Sequence, residues 1–120
     1  MKKIMVVDDE KDLLAIAKSY LKREGHDVAV TTSCDEAMKI LPAFNPDIIY
    51  MDINVGPEDG RVTCQQIKSL AAHQHIPIIL ISANYDALNT YKDYQANGIL
   101  KKPFQPIQLL SLMASHLPSP

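Results

Sequence analysis

Short runs of apolar residues alternate with stretches of helical spacing along the chain. The apolar runs occupy residues 4–7, 28–30, 48–51, 76–81 and 99–100, and they are rich in β-branched side chains. Because the runs do not alternate between apolar and polar positions, they predict strands that are covered on both faces. Strands of this kind, each followed by a helix, favour an α/β fold with a parallel sheet between two layers of helices.

The first two helices carry start and stop signals. Gly25 is expected to end the first helix, because glycine favours the left-handed conformation that closes many helices. Ser33 and Glu36 have the spacing of a capping box and begin the second helix, and Pro42 is expected to follow its end region. The stripe of the first helix that we expect to face the sheet comprises Leu13, Ile16, Ala17, Tyr20 and Leu21.

The last three helices are predicted from spacing alone. The third and fourth cover about residues 61–72 and 86–95, and the fifth follows Pro106, a residue type favoured in the first turn of a helix. Leu109 and Leu112 lie off the apolar stripe of this fifth helix. They are either scattered exposed leucines or part of a surface for a partner or a second copy of the chain. The stripe expected to face the sheet comprises Ile107, Leu110, Ala114 and Leu117.

Composition and charge restrict the classes of function. The 120 residues carry a formal net charge of −2, with 47% hydrophobic and 22% charged residues, which is ordinary for one globular domain. This balance lacks the basic surface that binding to nucleic acid or to a membrane requires, and no apolar run has the length of a membrane span. We expect the domain to cover residues 1–117, with residues 118–120 as a tail or the start of a linker.

The two cysteines indicate in which cellular compartment the protein is expected. Cys34 and Cys64 are far apart in the sequence, and neither has a second cysteine or a histidine at metal-binding spacing. Reduced cysteines are typical of the cytoplasm, and the N-terminal residues lack the long apolar segment of a signal peptide. The sequence therefore predicts a cytoplasmic protein.

Polar residues follow the predicted strands where each strand ends. Asp8 and Asp9 come after the first strand, Asp52 after the third, Ser82 after the fourth and Lys102 after the fifth. Right-handed crossovers bring all of these strand ends to one edge of a parallel sheet, and ligands bind at that edge. We therefore expect these side chains to form one site.

The residue types at this edge favour phosphoryl transfer. Carboxylates are hard oxygen donors that suit Mg²⁺, and a cation would relieve the repulsion between Asp8 and Asp9. A lysine pairs with phosphate, and a carboxylate can attack phosphorus to form an aspartyl phosphate. Taken alone, the two aspartates could instead cap the first helix, a role that we also assign to Glu10. Lys101 is interpreted as a solvated lysine, and Asp59–Gly60 as a turn.

Four segments resemble the signatures of one family. "IMVVDDE", "DIIYMDINV", "IILISA" and "LKKPF" are similar, in order and spacing, to the motifs of the response-regulator receiver domain of two-component signal transduction. The resemblance extends from residue 3 to about residue 117. It implies a single flavodoxin-like, doubly wound (βα)5 domain whose five-stranded parallel sheet has the strand order 2-1-3-4-5.

The resemblance also implies a role for each matching residue. Asp52 would accept a phosphoryl group from a phosphohistidine of a sensor histidine kinase or a phosphotransfer protein. Asp9 would bind Mg²⁺ (or Mn²⁺) directly and Asp8 through water, and Asp52 and the backbone carbonyl of Asn54 would complete the ligands. The two remaining implied roles are pairing with the phosphoryl oxygens by Lys102, before a cis proline, and hydrogen bonding to the phosphate by Ser82.

The implied output is a change of surface without turnover of a substrate. Phosphorylation would switch the face of the fourth helix, fifth strand and fifth helix for a downstream partner or output domain, and this face could also form a homodimer. Ile99 occupies the position where the family usually carries an aromatic switch residue. A receiver-like interaction module that works without phosphorylation therefore stays open, as does a Mg²⁺-dependent phosphohydrolase. A flavin-binding domain is disfavoured, because the loop after the first strand is acidic.

Overall fold

The computed structural model describes residues 1–118, which form a central parallel sheet with helices on both faces. The five strands pair in the order β2-β1-β3-β4-β5, and every pair is parallel. The fold class and the strand order 2-1-3-4-5 are therefore confirmed. The strands are β1 (Lys3–Val7), β2 (Asp27–Thr31), β3 (Ile48–Asp52), β4 (Ile78–Ser82) and β5 (Gly98–Lys101).

Five helices follow the strands in turn. They are α1 (Lys11–Arg23), α2 (Cys34–Phe44), α3 (Gly60–Lys68), α4 (Tyr85–Leu88) and α5 (Ile107–His116). A two-residue hairpin pairs Asn54–Val55 with Glu58–Asp59 between β3 and α3. Among residues 1–118, no helix is both long and apolar enough to cross a membrane. Of the predicted tail at 118–120, residues 119 and 120 lie outside the described residues.

Alternate residues of the strands supply two separate hydrophobic cores. Met5, Ile49 and Leu80 face one side of the sheet, where they pack with buried residues of α2, α3 and α4. Tyr50 and Ile79 face the other side, where they pack with α1 and α5. Because both faces are covered, the central strands are apolar over residues 4–7, 48–51 and 78–81, as the runs in the sequence predict.

The ends of the first two helices follow local chemistry, with one correction. Gly25 has φ +92° after α1, and the Ser33 hydroxyl accepts a hydrogen bond from the Glu36 amide at 3.0 Å, so both signals are confirmed. The prediction that Pro42 lies beyond α2 is wrong, because the helix runs two residues further, to Phe44. Asn45, with φ 49°, ends this helix with a left-handed turn.

The third helix is shorter than predicted. It ends at Lys68, and not near residue 72, and Ser69 forms its C-terminal cap. The Lys68 ammonium donates to the Ile76 carbonyl at 2.6 Å, which fixes the turns that lead to β4. Spacing alone gave no sign of this early end, because residues 69–72 are compatible with a helix.

The predicted fourth helix is broken into two pieces. The spacing predicts one helix over residues 86–95, but α4 ends at Leu88, and a separate 3-10 turn covers Tyr91–Tyr94. The Thr90 hydroxyl donates to the Ala87 carbonyl at 2.6 Å. Threonine competes in this way with helical backbone bonding, so the break falls where the sequence carries a weak helix former.

The inward faces of α1 and α5 differ from the predicted stripes. In α5, Leu109 and Met113 are buried, Leu112 is partly buried, and Ile107 is 60% exposed, so the prediction that Ile107 faces the sheet and that Leu109 lies off the stripe is wrong. In α1, Ile16 is 59% exposed. Both helices carry apolar residues on several faces, and the spacing alone does not decide which face packs. Ala114, predicted to face the sheet, is exposed, and Leu14, which the predicted stripe does not include, is buried.

Candidate functional site

The carboxyl edge of the sheet brings four of the predicted residues together. Asp8 follows β1, Asp52 and Ser82 end β3 and β4, and Lys102 follows β5. Asp8, Asp52 and Ser82 are 0%, 4% and 2% exposed. Carboxylates buried to this extent need a partner charge, because burial without one disfavours the ionised form.

Lys102 supplies that charge at the centre of the site. Its ammonium nitrogen lies 2.9 Å from Asp8 Oδ2, 2.8 Å from Asp52 Oδ2 and 2.9 Å from Glu10 Oε1. An ammonium group has three N–H donors, so three carboxylates share one cation. The Lys102–Pro103 peptide bond that follows is cis, as the resemblance implies.

The three strand-end side chains share one local geometry. Each accepts a hydrogen bond from the backbone amide two residues further along the chain, at 2.9 Å for Asp8, 3.1 Å for Asp52 and 3.0 Å for Ser82. Aspartate and serine form such turns readily, and the turn directs the side chain back over the end of its own strand. The donor amides belong to Glu10, Asn54 and Asn84.

Burial and charge shift two pKa values in this cluster. Burial raises the pKa of Asp8 to about 6, although the Glu10 amide and the Lys102 ammonium both act to lower it. Burial would lower the pKa of Lys102, but its contacts with Asp52, Asp8 and Glu10 outweigh that effect and raise it. Lys102 therefore stays charged, whereas burial disfavours the ionised form of Asp8.

The cluster fits a divalent cation on the chemistry of its donors. Asp8, Glu10 and Asp52 each offer a carboxylate oxygen, and these oxygens lie within 4.8 Å of one another. Within the described part of the chain, the buried Asp8 Oδ2 receives no hydrogen bond of good geometry, although the Lys102 ammonium lies 2.9 Å away. Buried oxygens that are short of partners suit a hard cation such as Mg²⁺.

The remaining predicted ligands lie at the rim of the cluster. Asp9 is exposed, and its Oδ2 atom accepts a hydrogen bond from the Gly56 amide at 3.2 Å. The side chain of Asn54 is also exposed, while its amide holds Asp52. The roles of Asp9 and of the Asn54 carbonyl as metal ligands stay predictions.

Glu10 is the contact that sequence reasoning missed. It occupies the cap position of α1, as expected, but its carboxylate contacts Lys102. The residue type indicated that Glu10 does more than cap the helix, because glutamate is a poor N-cap compared with aspartate, asparagine, serine and threonine. A glutamate at this position is therefore available for another partner.

Two neighbours of the site also differ from their first interpretation. The Lys101 ammonium lies 4.3 Å from the centre of the Tyr85 ring, so this exposed lysine has an aromatic partner. Asp59 caps α3 by accepting from the Arg61 amide at 2.9 Å. Gly60 is more than a turn residue, because a Cβ atom there would lie 1.9 Å from the Asp52 carbonyl oxygen.

The fold and the edge define a class of protein. A parallel sheet of order 2-1-3-4-5 that carries buried carboxylates and a lysine at its carboxyl edge belongs to the doubly wound α/β proteins that bind charged ligands at this edge. Residues 4–114 match the family model of the response regulator receiver domain. The chain belongs to this family and is a receiver domain of a response regulator.

Similar proteins agree with this assignment. Protein PilG of Pseudomonas aeruginosa is 32% identical over 98% of this chain and 88% of its own length. Transcriptional regulatory protein YxdJ of Bacillus subtilis is 29% identical over 98% of this chain, which spans 51% of that protein. The crystal structure of the chemotaxis protein CheY4 of Vibrio cholerae has a TM-score of 0.90 over 98% of this chain and 99% of its own, at 24% identity, and supports the fold.

Proposed function

We propose that Asp52 accepts a phosphoryl group from a phosphohistidine of a sensor histidine kinase or a phosphotransfer protein. The observation that carries this proposal is the 2.8 Å contact between the Lys102 ammonium and Asp52 Oδ2 at the carboxyl edge of the sheet. It places a permanent positive charge beside a carboxylate that the Asn54 amide already orients at 3.1 Å. Phosphoryl transfer depends mainly on positioning and on neutralising charge, and this pair provides both.

The proposed step is a direct displacement at phosphorus. A carboxylate oxygen of Asp52 attacks the phosphorus atom, an O–P bond forms and the P–N bond to the donor breaks. The electron pair of that bond goes to the imidazole nitrogen, and the donor ring, protonated on its other nitrogen, leaves neutral. Lys102 then pairs with the oxygens of the transferred group, and the hydroxyl of Ser82, buried at the end of β4, turns toward them.

The ion that we propose for the site is Mg²⁺, or Mn²⁺ in its place. Asp8, Asp9 and Asp52 and the backbone carbonyl of Asn54 would hold it. When bound, such an ion neutralises charge on the phosphoryl oxygens. The protein's own part is to keep two carboxylates buried beside Lys102, so that a cation and a phosphoryl group meet a fixed arrangement of charges.

The output is proposed to be a surface that responds to the phosphate. Receiver domains act as phosphoacceptors and work with histidine kinases and output domains, so no turnover of a substrate is expected. We assign the responding face to α4, β5 and α5, which would contact a downstream partner, an output domain or a second copy of the chain. The domain limits of 1–117 and a cytoplasmic location belong to the same proposal.

Uptake of one phosphoryl group tests the proposal. Incubation with acetyl phosphate and Mg²⁺ should add one phosphoryl group to the intact chain, as measured by mass spectrometry. Asp52→Asn should abolish the adduct, since the amide is a poor nucleophile, whereas Asp59→Asn should keep it. An adduct that survives in Asp52→Asn, or a wild-type chain that stays unmodified, contradicts the assignment.

A further inference from the structure

Lys102 has three carboxylate partners, and two of them also take part in the proposed phosphoryl transfer. Asp52 is the proposed nucleophile, and Asp8 is a proposed partner of the cation. Both lie within 2.9 Å of the Lys102 ammonium in this structure. Once a cation and a phosphoryl group engage these two carboxylates, their oxygens are no longer fully available to Lys102. Glu10 is the remaining partner.

The backbone places Glu10 for this contact. Its amide donates to Asp8 Oδ1 at 2.9 Å, which fixes the start of α1 beside the buried carboxylate. Glu10 has an extended conformation, with φ −83° and ψ 103°, at the cap position. Within residues 1–118, its side chain accepts no hydrogen bond from the amides of its own helix. The carboxylate instead reaches Lys102 at 2.9 Å.

Exposure separates Glu10 from the other two acceptors. Its side chain is 61% exposed, whereas those of Asp8 and Asp52 are 0% and 6% exposed. Glu10 therefore holds Lys102 from the solvent side of the site, while the aspartates hold it from the interior. The contact with Glu10 can therefore keep the Lys102 ammonium in the site when its contacts with Asp8 and Asp52 change.

We infer that Glu10 is a positioning residue that holds the Lys102 ammonium in place for the phosphoryl group. The inference rests on the proposed function, because it concerns the lysine that pairs with the transferred phosphate. Glu10 acts through Lys102 and makes no contact of its own with the reacting atoms. Its carboxylate lies within 4.8 Å of those of Asp8 and Asp52, but we assign it to Lys102 and not to the cation, so its loss should leave the dependence on Mg²⁺ unchanged.

The first test compares three variants in the rate of phosphorylation by acetyl phosphate at saturating Mg²⁺. Glu10→Ala should slow the reaction about fivefold, since it removes one hydrogen bond to a charged group on the solvent side. Glu10→Gln should stay within about twofold of wild type, because the amide oxygen still accepts from Lys102. Asp12→Ala is the matched control, since it removes a negative charge from the first turn of the same helix.

The second test asks whether Glu10 acts through Lys102. In a Lys102→Ala background, Glu10→Ala should cause no further loss of rate, as measured by a double-mutant cycle. The Mg²⁺ concentration for half-maximal rate should be the same in wild type and in Glu10→Ala. A loss that persists without Lys102, or a shifted Mg²⁺ requirement with an unchanged maximal rate, overturns the inference.

The outcomes separate this inference from the proposed function. If the wild-type chain takes up no phosphoryl group, the proposed function is wrong, and the role of Glu10 falls with it. If the wild-type chain reacts and Glu10→Ala reacts as fast as Asp12→Ala, the function stands and only the inference is wrong.

Discussion

The two edges of the sheet use polar side chains in different ways. At the amino edge, side chains bond to the backbone where strands begin. Asp47 Oδ2 accepts from the Lys3 amide at 2.7 Å, and Asn97 Oδ1 accepts from the Ile78 amide at 3.0 Å. At the carboxyl edge, Asp8 and Asp52 also accept from backbone amides through Oδ1, but their Oδ2 atoms, together with Glu10, contact the charged Lys102.

The difference indicates which edge can respond to a ligand. An oxygen that accepts from a backbone amide cannot leave without exposing an unpaired amide, so the acceptors at the amino edge and the Oδ1 atoms of Asp8 and Asp52 are all fixed. Charges that satisfy one another can exchange partners when a cation or a phosphoryl group arrives. The amino edge therefore maintains the fold, while the contacts with Lys102 at the carboxyl edge can exchange partners.

The largest effect is expected from removing the shared cation of the carboxyl edge. Lys102→Met should lower the free energy of unfolding by about 3 kcal/mol at pH 8 without divalent cations, since it leaves buried carboxylates unpaired. Urea denaturation measures this change. Lys101→Met is the matched control and should change the free energy by about 0.5 kcal/mol or less, because Lys101 is exposed. Equal losses in both variants would contradict the comparison.

A substitution that raises the free energy of unfolding is expected at the same edge. The pKa of Asp8 is raised to about 6, so at pH 8 the fold holds a charge that burial disfavours. Asp8→Asn removes this charge and should raise the free energy of unfolding by about 2 kcal/mol at pH 8 without divalent cations. Asp9→Asn, one residue along and exposed, should leave it nearly unchanged. Thermal denaturation of both variants checks the prediction, and a destabilised Asp8→Asn would refute it.

The amino edge should show a smaller effect, confined to stability. Asn97→Ala leaves the Ile78 amide without its side-chain partner and should cost about 1 kcal/mol in the free energy of unfolding. The phosphorylation rate should not change, because the proposed phosphoacceptor Asp52 ends β3 at the opposite edge of the sheet. Asn97→Asp keeps an acceptor oxygen and should recover most of the stability in urea denaturation. A slower phosphorylation rate in Asn97→Ala would show that the two edges are coupled.

The smallest effect concerns pH at the amino edge. His26 Nδ1 accepts from the Lys2 amide at 3.0 Å, and burial lowers the pKa of this histidine. The unfolded chain therefore binds the proton more readily, and His26 contributes stability at high pH that is lost as the pH falls below about 6.5. His26→Asn keeps an acceptor without titrating. The stability difference between wild type and this variant should change between pH 8 and pH 5, and a constant difference would contradict the prediction.

The sequence predicted the sheet and its polar edge because both depend on local pattern. Covered strands must be apolar throughout, and the residue that ends each apolar run must lie at the edge. Asp8, Asp52 and Ser82 follow from this rule, and so does Lys102. The turns of Asp8, Asp52 and Ser82 involve only residues two positions apart, so this part of the site's geometry can be predicted from the sequence.

The misses have a different physical origin. Leu109 packs inward and Ile107 outward because of how α5 sits on the sheet, and an apolar helix gives no internal sign of that choice. The break after α4 falls beside Thr90, whose hydroxyl bonds to the Ala87 carbonyl, and the spacing of apolar residues carries no sign of such a contact. The contact between Glu10 and Lys102 joins residues that are 92 positions apart, so it is set by the tertiary fold.

Gly60 carries a consequence for how the chain tolerates sequence change. Its amide donates to the Ile53 carbonyl at 2.7 Å, and a methyl group in place of its hydrogen would collide with the backbone oxygen of Asp52. Even alanine, which brings no charge and no polar group, would have to push the end of β3 or the start of α3 aside. A variant that keeps every side chain of the site can therefore displace Asp52, the proposed nucleophile, through a substitution at position 60. In a mutational survey, position 60 should tolerate replacement as poorly as a reactive residue does, for reasons of space alone.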